Sequence, residues 1–372
     1  MSTIKVNAVR NTATNDGGID IDASGHVTVD GQQLPTAGQL SNRNKIINGA
    51  MRIDQRNGGA ALSVNSGTDF FAVDRFTSVG TASAGVFSVQ RSSTAPDGFS
   101  NSLVATVTTT DSALAAADQY YISQLIEGNN IADLDWGTSS AETVTLSFYV
   151  RSSVTGTFGG AFRNSATNRA YPFTYSITTA DTWEKKSITV SGDTSGTWLT
   201  TNGVGIHITW GLGFGSNWTG SSGAWSSNNY KGATGTTNLM ATNGATFYIT
   251  GVQLEVGGAA TSFEHRSYGD ELTRCQRYYQ NIYPRYMAGQ FLVTNEVACQ
   301  FVPFYVLMRS TPTATYSGMS IKENNGSFAT TSLTGNAQLT ENGLNVVLTR
   351  TGAAASDSFV GFITSANMNA EL

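Results

Sequence analysis

The chain has 372 residues, 40% of them hydrophobic, which is enough for one large domain or for two smaller domains with buried cores. Charged residues make up only 13%, and the 40 glycines indicate short strands joined by turns rather than helices. The net charge of −5 without a basic patch argues against nucleic-acid binding, and the lack of 18 consecutive apolar residues argues against a membrane-spanning helix.

Residues 1–41 hold two pieces with strand character. In TIKVNAVRN the residues Ile4, Val6 and Ala8 alternate with polar ones, and HVTVDG ends in an Asp-Gly turn. The segment has too few apolar residues to bury a core by itself. We therefore expect either a flexible arm or an arm that folds against a partner, followed by a linker in GQQLPTAGQLSN.

From residue 42 onward, short runs with strand character follow one another closely. NKIINGAMRIDQR holds two such runs around an Asn48-Gly49 turn, and FFAVDRFTSV, NSLVATVTTT and DQYYISQLI continue the series. Every second residue of TVTLSFYV, from Val144 to Val150, is apolar, which predicts a sheet buried on one side. Strands repeating at about 8 to 12 residues indicate a β-sandwich.

The strand in ATFYITGVQLEV changes phase at Gly251. Phe247 and Ile249 belong to one phase, whereas Val252 and Leu254 belong to the other. A β-bulge at Gly251 would return both sets to one core face. A central strand that is buried on both sides is the alternative.

Residues 211–244 have no strand period and are longer than an ordinary loop, which ends by about 12 to 15 residues. The aromatic residues of this segment argue against plain disorder. Aromatic rings offer flat apolar faces to sugars, and Asn side chains bond sugar hydroxyls. The candidate glycan-binding residues are Trp210, Trp218, Trp225, Tyr230, Asn228 and Asn229. Packing of the rings on the sandwich or on a neighbouring subunit is the alternative.

A short amphipathic helix is predicted over residues 267–280. Ser267 is the candidate N-cap, with Asp270 three residues further on. A helix of this length is unstable alone, so it must pack on another copy of the chain or on the domains at its ends. Residues 281–372 return to strand patterns and predict a second β region.

Several segments resemble parts of bacteriophage tail fibres. These are NKIINGAMRIDQR with VDRF and, above all, GVQLEVGGAATSFEHRSYGDELTRCQRYYQ at residues 251–280. The start STIKVNAVRN looks like fibre N-termini that dock on the tail, and RSTPTATY with FITSANMNAEL resembles the matching C-terminal domain. The resemblance implies a homotrimeric adhesion fibre of the virion. Such a fibre is synthesised in the host cytoplasm, is held by a tail or adaptor protein through residues 1–41, and binds a host surface glycan or receptor.

The resemblance also implies a division of the chain, since residues 42–266 are similar to jelly-roll carbohydrate-binding modules. The predicted fold is all-β, with an N-terminal docking arm and linker (1–41), a central jelly-roll β-sandwich (42–266), a connector helix (267–280) and a C-terminal β-sandwich as distal tip (281–372). The trimer-interface candidates are Tyr268, Leu272, Arg274, Arg277 and Tyr279. The host-contact candidates at the tip are Lys322, Glu323, Asn324, Asn325, Glu341 and Asn342.

We predict no metal site, no cofactor and no catalytic residues. Many modules of this kind hold a calcium ion, but Thr250 stands near the place where an Asp is often found; Asp54 and backbone carbonyls leave a calcium site open. The alternative function is a tail spike that hydrolyses host polysaccharide with Asp133 and Asp135. On one strand face their carboxyl groups would lie about 7 Å apart, within the range of glycosidases, although such pairs often bond only their own backbone.

Overall fold

The computed structural model describes residues 8–10, 18–21, 27–29, 32–33, 42–65, 69–81, 85–282, 285–293, 296–297, 300–323, 328–330, 338–346 and 358–372. The chain forms two compact units, Met1–Arg266 and Ser267–Leu372. The strands of the first unit are β1 (Ala8–Arg10), β2 (Gly18–Ile21), β3 (Val27–Val29), β4 (Gln32–Gln33), β5 (Leu62–Val64), β6 (Phe70–Val73), β7 (Phe76–Gly80), β8 (Val86–Ser92), β9 (Ser102–Thr109), β10 (Gln119–Glu127), β11 (Val144–Ser152), β12 (Gly156–Arg163), β13 (Ala170–Ile177), β14 (Glu184–Val190), β15 (Val204–Phe214), β16 (Thr219–Gly220), β17 (Gly232–Ala233) and β18 (Thr246–Val256). Short 3-10 helices cover Gly128–Asn130, Ala132–Leu134, Ser216–Trp218 and Leu239–Ala241.

Two six-stranded antiparallel sheets form a β-sandwich in the first unit. Sheet I has the strand order β13-β12-β15-β10-β7-β6, and sheet II has the order β14-β11-β18-β9-β8-β5. From β9 to β12 the chain crosses between the sheets at every step, because β9 and β11 lie in sheet II whereas β10 and β12 lie in sheet I. This is the connectivity of a jelly roll, and it confirms the predicted all-β sandwich.

The core lies between the two sheets and is built from residues at alternating strand positions. The predicted row of β11 from Val144 to Val150 is fully buried. Phe148 meets Trp210 of sheet I across the sandwich, with ring centroids 6.0 Å apart in an edge-to-face arrangement. Each such ring contributes about 1.5–3 kcal/mol through its burial. Thr145 on the opposite face of β11 is buried as well, so the predicted one-sided burial is wrong at this strand.

Strand β18 contains the predicted bulge at Gly251. The register between β11 and β18 shifts between Ser147 and Tyr149, so two residues of β18 face one residue of β11. Gly251 has a φ of +60°, which favours glycine. The apolar residues of both phases consequently join one core: Phe247, Ile249, Val252 and Leu254. The outer face of β18 is also buried at Thr250 and Gln253, so the bulge and the two-sided burial occur together.

Residues 42–61 contain no strand, so the two strands predicted in NKIINGAMRIDQR are wrong. The Asn48-Gly49 turn is confirmed, because Met51 N donates to Asn48 O at 2.9 Å. Asn48 is buried, and its side chain bonds both the N–H and the C=O of Ile53. Side-chain hydrogen bonds therefore satisfy this backbone in place of a strand ladder.

Residues 42–49 and 261–266 form a structure that we call the clasp, beside the second half of β18. Asn44 is its centre: its Oδ1 accepts hydrogen bonds from Ile46 N at 2.9 Å and Leu254 N at 3.1 Å, and its Nδ2 donates to Val252 O at 3.1 Å. Glu264 accepts from the backbone of Asn44 at 2.9 Å. The two segments that resemble tail fibres, around Asn44 and around Glu264, thus contact each other beside β18.

The N-terminal strands β1 to β4 form an antiparallel four-stranded sheet in that order. Strand β3 confirms the strand predicted in HVTVDG, and β1 overlaps the predicted TIKVNAVRN. Strand β2 was not predicted, because its polar surroundings hide the alternation of Ile19 and Ile21. These two side chains are 42% and 41% exposed.

The second unit begins with α1 (Tyr268–Gln276) and contains two sheets. Its strands are β19 (Tyr279–Ile282), β20 (Arg285–Val293), β21 (Glu296–Val297), β22 (Gln300–Pro303), β23 (Thr313–Glu323), β24 (Phe328–Thr330), β25 (Gln338–Leu339), β26 (Gly343–Val346) and β27 (Ser358–Asn369). One sheet has the order β21-β20-β27-β23-β24, with β19 also on β27, and the other has the order β22-β26-β25.

Helix α1 begins as predicted but ends earlier. Ser267 is its N-cap, and its Oγ accepts a hydrogen bond from Asp270 N at 3.1 Å. Tyr279 lies in β19 rather than on the helix and is only 6% exposed. A ring that is buried in the single chain leaves almost no surface for a partner, so the prediction that Tyr279 forms a trimer interface is wrong. Tyr268 is 52% exposed, and Leu272 is half-buried.

Candidate functional site

Trp210 lies on β15 with its side chain in the core. It is 0% exposed, and Ile206, Ile208 and Leu212 share its buried face. The alternation of a β-strand decides this orientation. A fully buried ring offers no face to a sugar, so the prediction that Trp210 binds glycan is wrong.

Trp225 packs into a cluster of three tryptophans. Its ring centroid lies 5.3 Å from that of Trp136 and 5.5 Å from that of Trp198, both nearly perpendicular. Its indole N–H donates to Ser191 O at 2.8 Å. The packing alternative therefore describes Trp225, which attaches its loop to the sandwich.

Residues 215–237, which we call the 215–237 loop, are attached to sheet I at several points. Thr209 Oγ1 of β15 donates to Lys231 O at 2.6 Å, and Lys231 N donates to Trp218 O at 2.8 Å. The Trp218 indole donates to Ala117 O at 2.8 Å. Trp218 and Tyr230 are half-buried. The loop therefore has a defined structure beside sheet I, and plain disorder is excluded.

Four side chains gather on the outer face of sheet I, under the 215–237 loop. They are Tyr121 of β10, Arg163 of β12, His207 of β15 and Lys231 of the loop, and we call them the cationic cluster. The sheet register places Arg163 directly opposite His207. Tyr121, Arg163 and Lys231 are 6%, 4% and 8% exposed, whereas His207 is half-buried. The cluster thus reaches the surface at the histidine.

Direct contacts join the members of the cluster and two of the predicted residues. Arg163 Nη1 donates to Asn229 Oδ1, and Arg163 Nη2 donates to His207 Nδ1. The Lys231 ammonium group bonds Gln119 Oε1 and lies 3.9 Å from the ring centroid of Trp218. Trp218 and Asn229 therefore border the cluster, whereas Asn228 bonds only Ser226 within the described part of the chain.

Burial shifts the pKa of every member of the cationic cluster. Burial and the nearby Arg163 charge lower the pKa of Lys231 to about 7. Burial lowers the pKa of Arg163 to about 10 and that of His207 well below its usual value, and it raises the pKa of Tyr121 to about 12. At neutral pH Arg163 is charged, Lys231 is partly charged, and His207 and Tyr121 are neutral.

The atoms without partners in this cluster are hydrogen-bond donors. A guanidinium group only donates, so His207 Nδ1 accepts and the ring hydrogen lies on Nε2. His207 Nε2 and Arg163 Nε are buried and have no partner among the described residues. A buried polar atom without a partner costs about 1–3 kcal/mol. The site is therefore suited to a ligand that brings acceptor oxygens.

The run GIHITW predicts a strand with a half-buried His207, which is confirmed, but no pattern pointed to Tyr121, Arg163 or Lys231. One signal was present for Tyr121, Arg163 and His207, because the period of two places them opposite the core rows of their strands. The strand order that brings β10, β12 and β15 together is not visible in such a local pattern.

Asp133 and Asp135 do not share a strand face as the hypothesis of hydrolysis required. Asp133 lies in a 3-10 helix and accepts from Lys45 Nζ at 2.6 Å, whereas Asp135 follows with a φ of +50°. Asp54 Oδ1 accepts from Asn57 N at 2.8 Å and its Oδ2 from Gly59 N at 2.5 Å, so its carboxylate closes its own turn. Among the described residues, no group of three or more His, Cys, Asp or Glu could hold a metal ion.

The host-contact candidates of the second unit are only partly described. Lys322 and Glu323 end strand β23, and Asn324 and Asn325 lie outside the described residues. Glu341 and Asn342 are exposed in the turn between β25 and β26. No helix within the described ranges is long and apolar enough to cross a membrane.

Comparisons with known proteins find similar folds but no related sequence. No protein-family model and no curated protein matches the chain. The enzymatically active domain of tailspike protein 4 of bacteriophage CBA120 aligns at 15% identity and a TM-score of 0.30, over 58% of this chain and 22% of that one. A structure described as "CBM4 structure and function" aligns at 15% identity and a TM-score of 0.27, over 45% of this chain and 89% of that one.

A family 11 carbohydrate-binding module from Clostridium thermocellum, in complex with a mixed-linked tetrasaccharide, aligns at 14% identity and a TM-score of 0.26. The alignment covers 57% of this chain and all of that one. At these scores the likeness concerns the fold alone. The function has to be argued from the residues of this chain.

Proposed function

We propose that this chain is a phage tail fibre whose first unit binds a host surface glycan on the outer face of sheet I. The observation that carries the proposal is the set of buried donors without partners, His207 Nε2 and Arg163 Nε, beside a half-buried Trp218. Sugars bring acceptor oxygens to the donors and C–H faces to the ring. The assignment to tail fibres rests on the sequence segments that form the clasp.

The fibre assignment carries three further proposals. Residues 1–41 bind a tail or adaptor protein, the chain assembles as a homotrimer with Tyr268, Leu272, Arg274 and Arg277 near the interface, and the turn with Glu341 and Asn342 contacts the host. The exposed Tyr268 and the half-buried Leu272 on a helix of nine residues support the second proposal. Light scattering of the full chain should give three times the monomer mass, and a monomer at micromolar concentration would contradict it.

Glycan binding is tested with the full-length protein on an array of bacterial surface glycans. Trp218→Ala should weaken retention about tenfold, because stacking on an aromatic ring contributes about 1–1.5 kcal/mol. Trp183→Ala is the matched control, since Trp183 packs on Tyr248 of sheet II and not near the cluster. Equal retention of the Trp218 variant and the wild type would contradict the proposed site.

Hydrolysis of host polysaccharide is the second candidate function, and it receives less support. Asp133 forms an ion pair with Lys45, and Asp135 does not share a strand face with it. The test measures release of reducing ends from envelope glycan. Cleavage that is lost in Asp133→Asn or Asp135→Asn but kept in Asp97→Asn would replace the proposed function.

A further inference from the structure

We propose that the cationic cluster is a subsite for an acidic sugar residue, whose carboxylate or phosphate group binds between Arg163 and Lys231. The inference rests on the proposed function and names the glycan class. It concerns only the charge of the ligand. An experiment can therefore contradict it while glycan binding is retained.

The first argument is that both cations are buried without a carboxylate. Neither Arg163 nor Lys231 has an acidic oxygen within 4.0 Å among the described residues. A buried charge is normally paired. Two other arginines of this unit follow that rule: Arg169 meets Asp193 at 2.6 Å, and Arg56 meets Asp74 at 3.4 Å. In contrast to these two arginines, Arg163 and Lys231 of the cationic cluster have no carboxylate in contact among the described residues.

The second argument is the direction of the hydrogen bonds. Arg163 Nε and His207 Nε2 both donate, and the Lys231 ammonium group has hydrogens beyond the one bonded to Gln119 Oε1. An oxyanion is acceptor-only and can take several of these donors at once, whereas a sugar hydroxyl also has to donate. Charge-assisted hydrogen bonds are about twice as strong as neutral ones.

The third argument is the balance of charge around the site. Asp69 is the acidic group whose field reaches Lys231 and Tyr121. It is exposed, and its Oδ1 accepts from Thr77 Oγ1 at 3.1 Å. This one exposed carboxylate acts on Lys231, whereas two cations are buried, so the cluster keeps a net positive charge that an anion neutralises.

The proposal also predicts a pH dependence. The groups facing Lys231 are Arg163, His207, Tyr121 and Asp69, and of the first three none changes its charge between about pH 6 and about pH 9. A bound anion raises the pKa of Lys231 above its free value of about 7. Affinity is therefore greatest below that value and falls as the pH rises through it.

The experiment titrates the full chain with three oligosaccharides of equal length in low salt at about pH 6. They are an oligogalacturonate, the neutral oligomer made by reducing its carboxyl groups, and an oligosaccharide carrying phosphate monoesters. At least one charged probe should bind about tenfold or more tightly than the neutral one. The charged probe that binds identifies the source of the oxyanion.

The variants Arg163→Gln and Lys231→Gln should each weaken the charged probe about ten- to hundredfold and leave the neutral probe unchanged. The matched controls Arg151→Gln and Lys186→Gln alter cations that are paired with Asp181 and Glu184, and they should change nothing. Lys231→Gln should also abolish the pH dependence. Should a variant fail to fold, the preference of the wild type for the charged probe over the neutral one decides.

Equal affinity for charged and neutral probes, both lost in Trp218→Ala, would overturn the acidic-sugar inference and keep the proposed function. Failure of both charged probes to bind would overturn the inference as well. If the wild-type protein is retained by no glycan on the array and still adsorbs to host cells, the proposed function is overturned instead.

Discussion

Asn44 shows how one side chain replaces a stretch of missing sheet. Its amide bonds three backbone groups, those of Ile46, Val252 and Leu254, and it is 5% exposed. These groups border the half of β18 that no longer pairs with β9. Without Asn44 they would be buried and unsatisfied, which is more costly than losing an exposed hydrogen bond.

Asn44→Ala should therefore lower the free energy of unfolding of the first unit by about 3 kcal/mol. All six tryptophans lie between residues 136 and 225, so tryptophan fluorescence during urea unfolding reports this unit alone. Asn228→Ala, at an exposed position, is the control and should change stability by less than about 0.5 kcal/mol. Equal effects of the two substitutions would contradict the clasp.

Lys231 links stability to pH. Its pKa is about 7 in the folded chain and near 10.4 in an unfolded chain, so between these values the unfolded state binds more protons. A lowered folded-state pKa means that stability rises with pH across this window and is lost as the pH falls through about 7.

The melting temperature of the wild type, relative to that of Lys231→Met, should accordingly rise from about pH 6 to about pH 9. The difference between the two proteins removes the contribution of all other groups. Fluorescence-detected melting at each pH measures it. A difference that stays constant with pH would mean that Lys231 keeps an ordinary pKa.

At the scale of elements, the bulge in β18 depends on one glycine. Gly251 combines a φ of +60° with a crowded position, where a Cβ would lie 2.7 Å from Phe99 and 2.9 Å from Tyr149. A substitution there meets both backbone strain and a clash. The bulge keeps the two halves of the strand in one core, so strain at this point affects both halves.

Gly251→Ala should destabilise the first unit by about 2–4 kcal/mol, as strain and overpacking add. Gly244→Ala separates the two causes, since Gly244 has a φ of +73° with open space around it. It should cost only about 1 kcal/mol. Similar losses in both variants, again in urea, would show that the bulge position is not crowded.

The 215–237 loop is the second element with a specific anchor. Trp225 attaches it to Trp136 and Trp198, and Lys231 is its one tryptic site. Trp225→Ala should speed trypsin cleavage after Lys231 about tenfold or more, because a local opening that becomes about 1.4 kcal/mol easier is tenfold more populated. Trp183→Ala should leave the cleavage rate unchanged; a rate unaffected by Trp225→Ala would mean that other contacts hold the loop.

At the scale of the whole molecule, the chain divides into two units at Arg266 and Ser267. Within the clasp, the N–H of Asn42 donates to Glu264 Oε1 at 2.5 Å. The strands β1 to β4 pair only with one another. We therefore expect the sandwich to fold without the first 41 residues.

A chain beginning at Asn42 should melt within about 2 °C of the full chain, as followed by tryptophan fluorescence. A larger loss of stability would show that the arm belongs to the main fold. The same shortened chain should fail to join the virion under the proposed function, and its incorporation would contradict the role of the arm.

The sequence by itself determined the features that depend on neighbouring residues. The inward row of β11, the phase change at Gly251 and the N-cap at Ser267 are local patterns, and each produces the predicted structure. Local patterns also misled, because the apolar residues of 42–61 resemble strands but are held by side-chain hydrogen bonds from distant segments. The prediction that Trp210 binds glycan was wrong for a related reason. An aromatic residue beside a long loop can lie on either face of its strand, and the local sequence does not show which face points into the core.

Only the tertiary structure decided the composition of the cationic cluster. Tyr121, Arg163 and His207 come from strands that are separated in the chain and become neighbours because the jelly-roll crossovers place β10, β15 and β12 side by side. Lys231 joins them through its loop. The pairing of distant strands is set by burial of the whole core rather than by any short segment, so neither the cluster nor its missing carboxylate partner could be predicted from a local pattern.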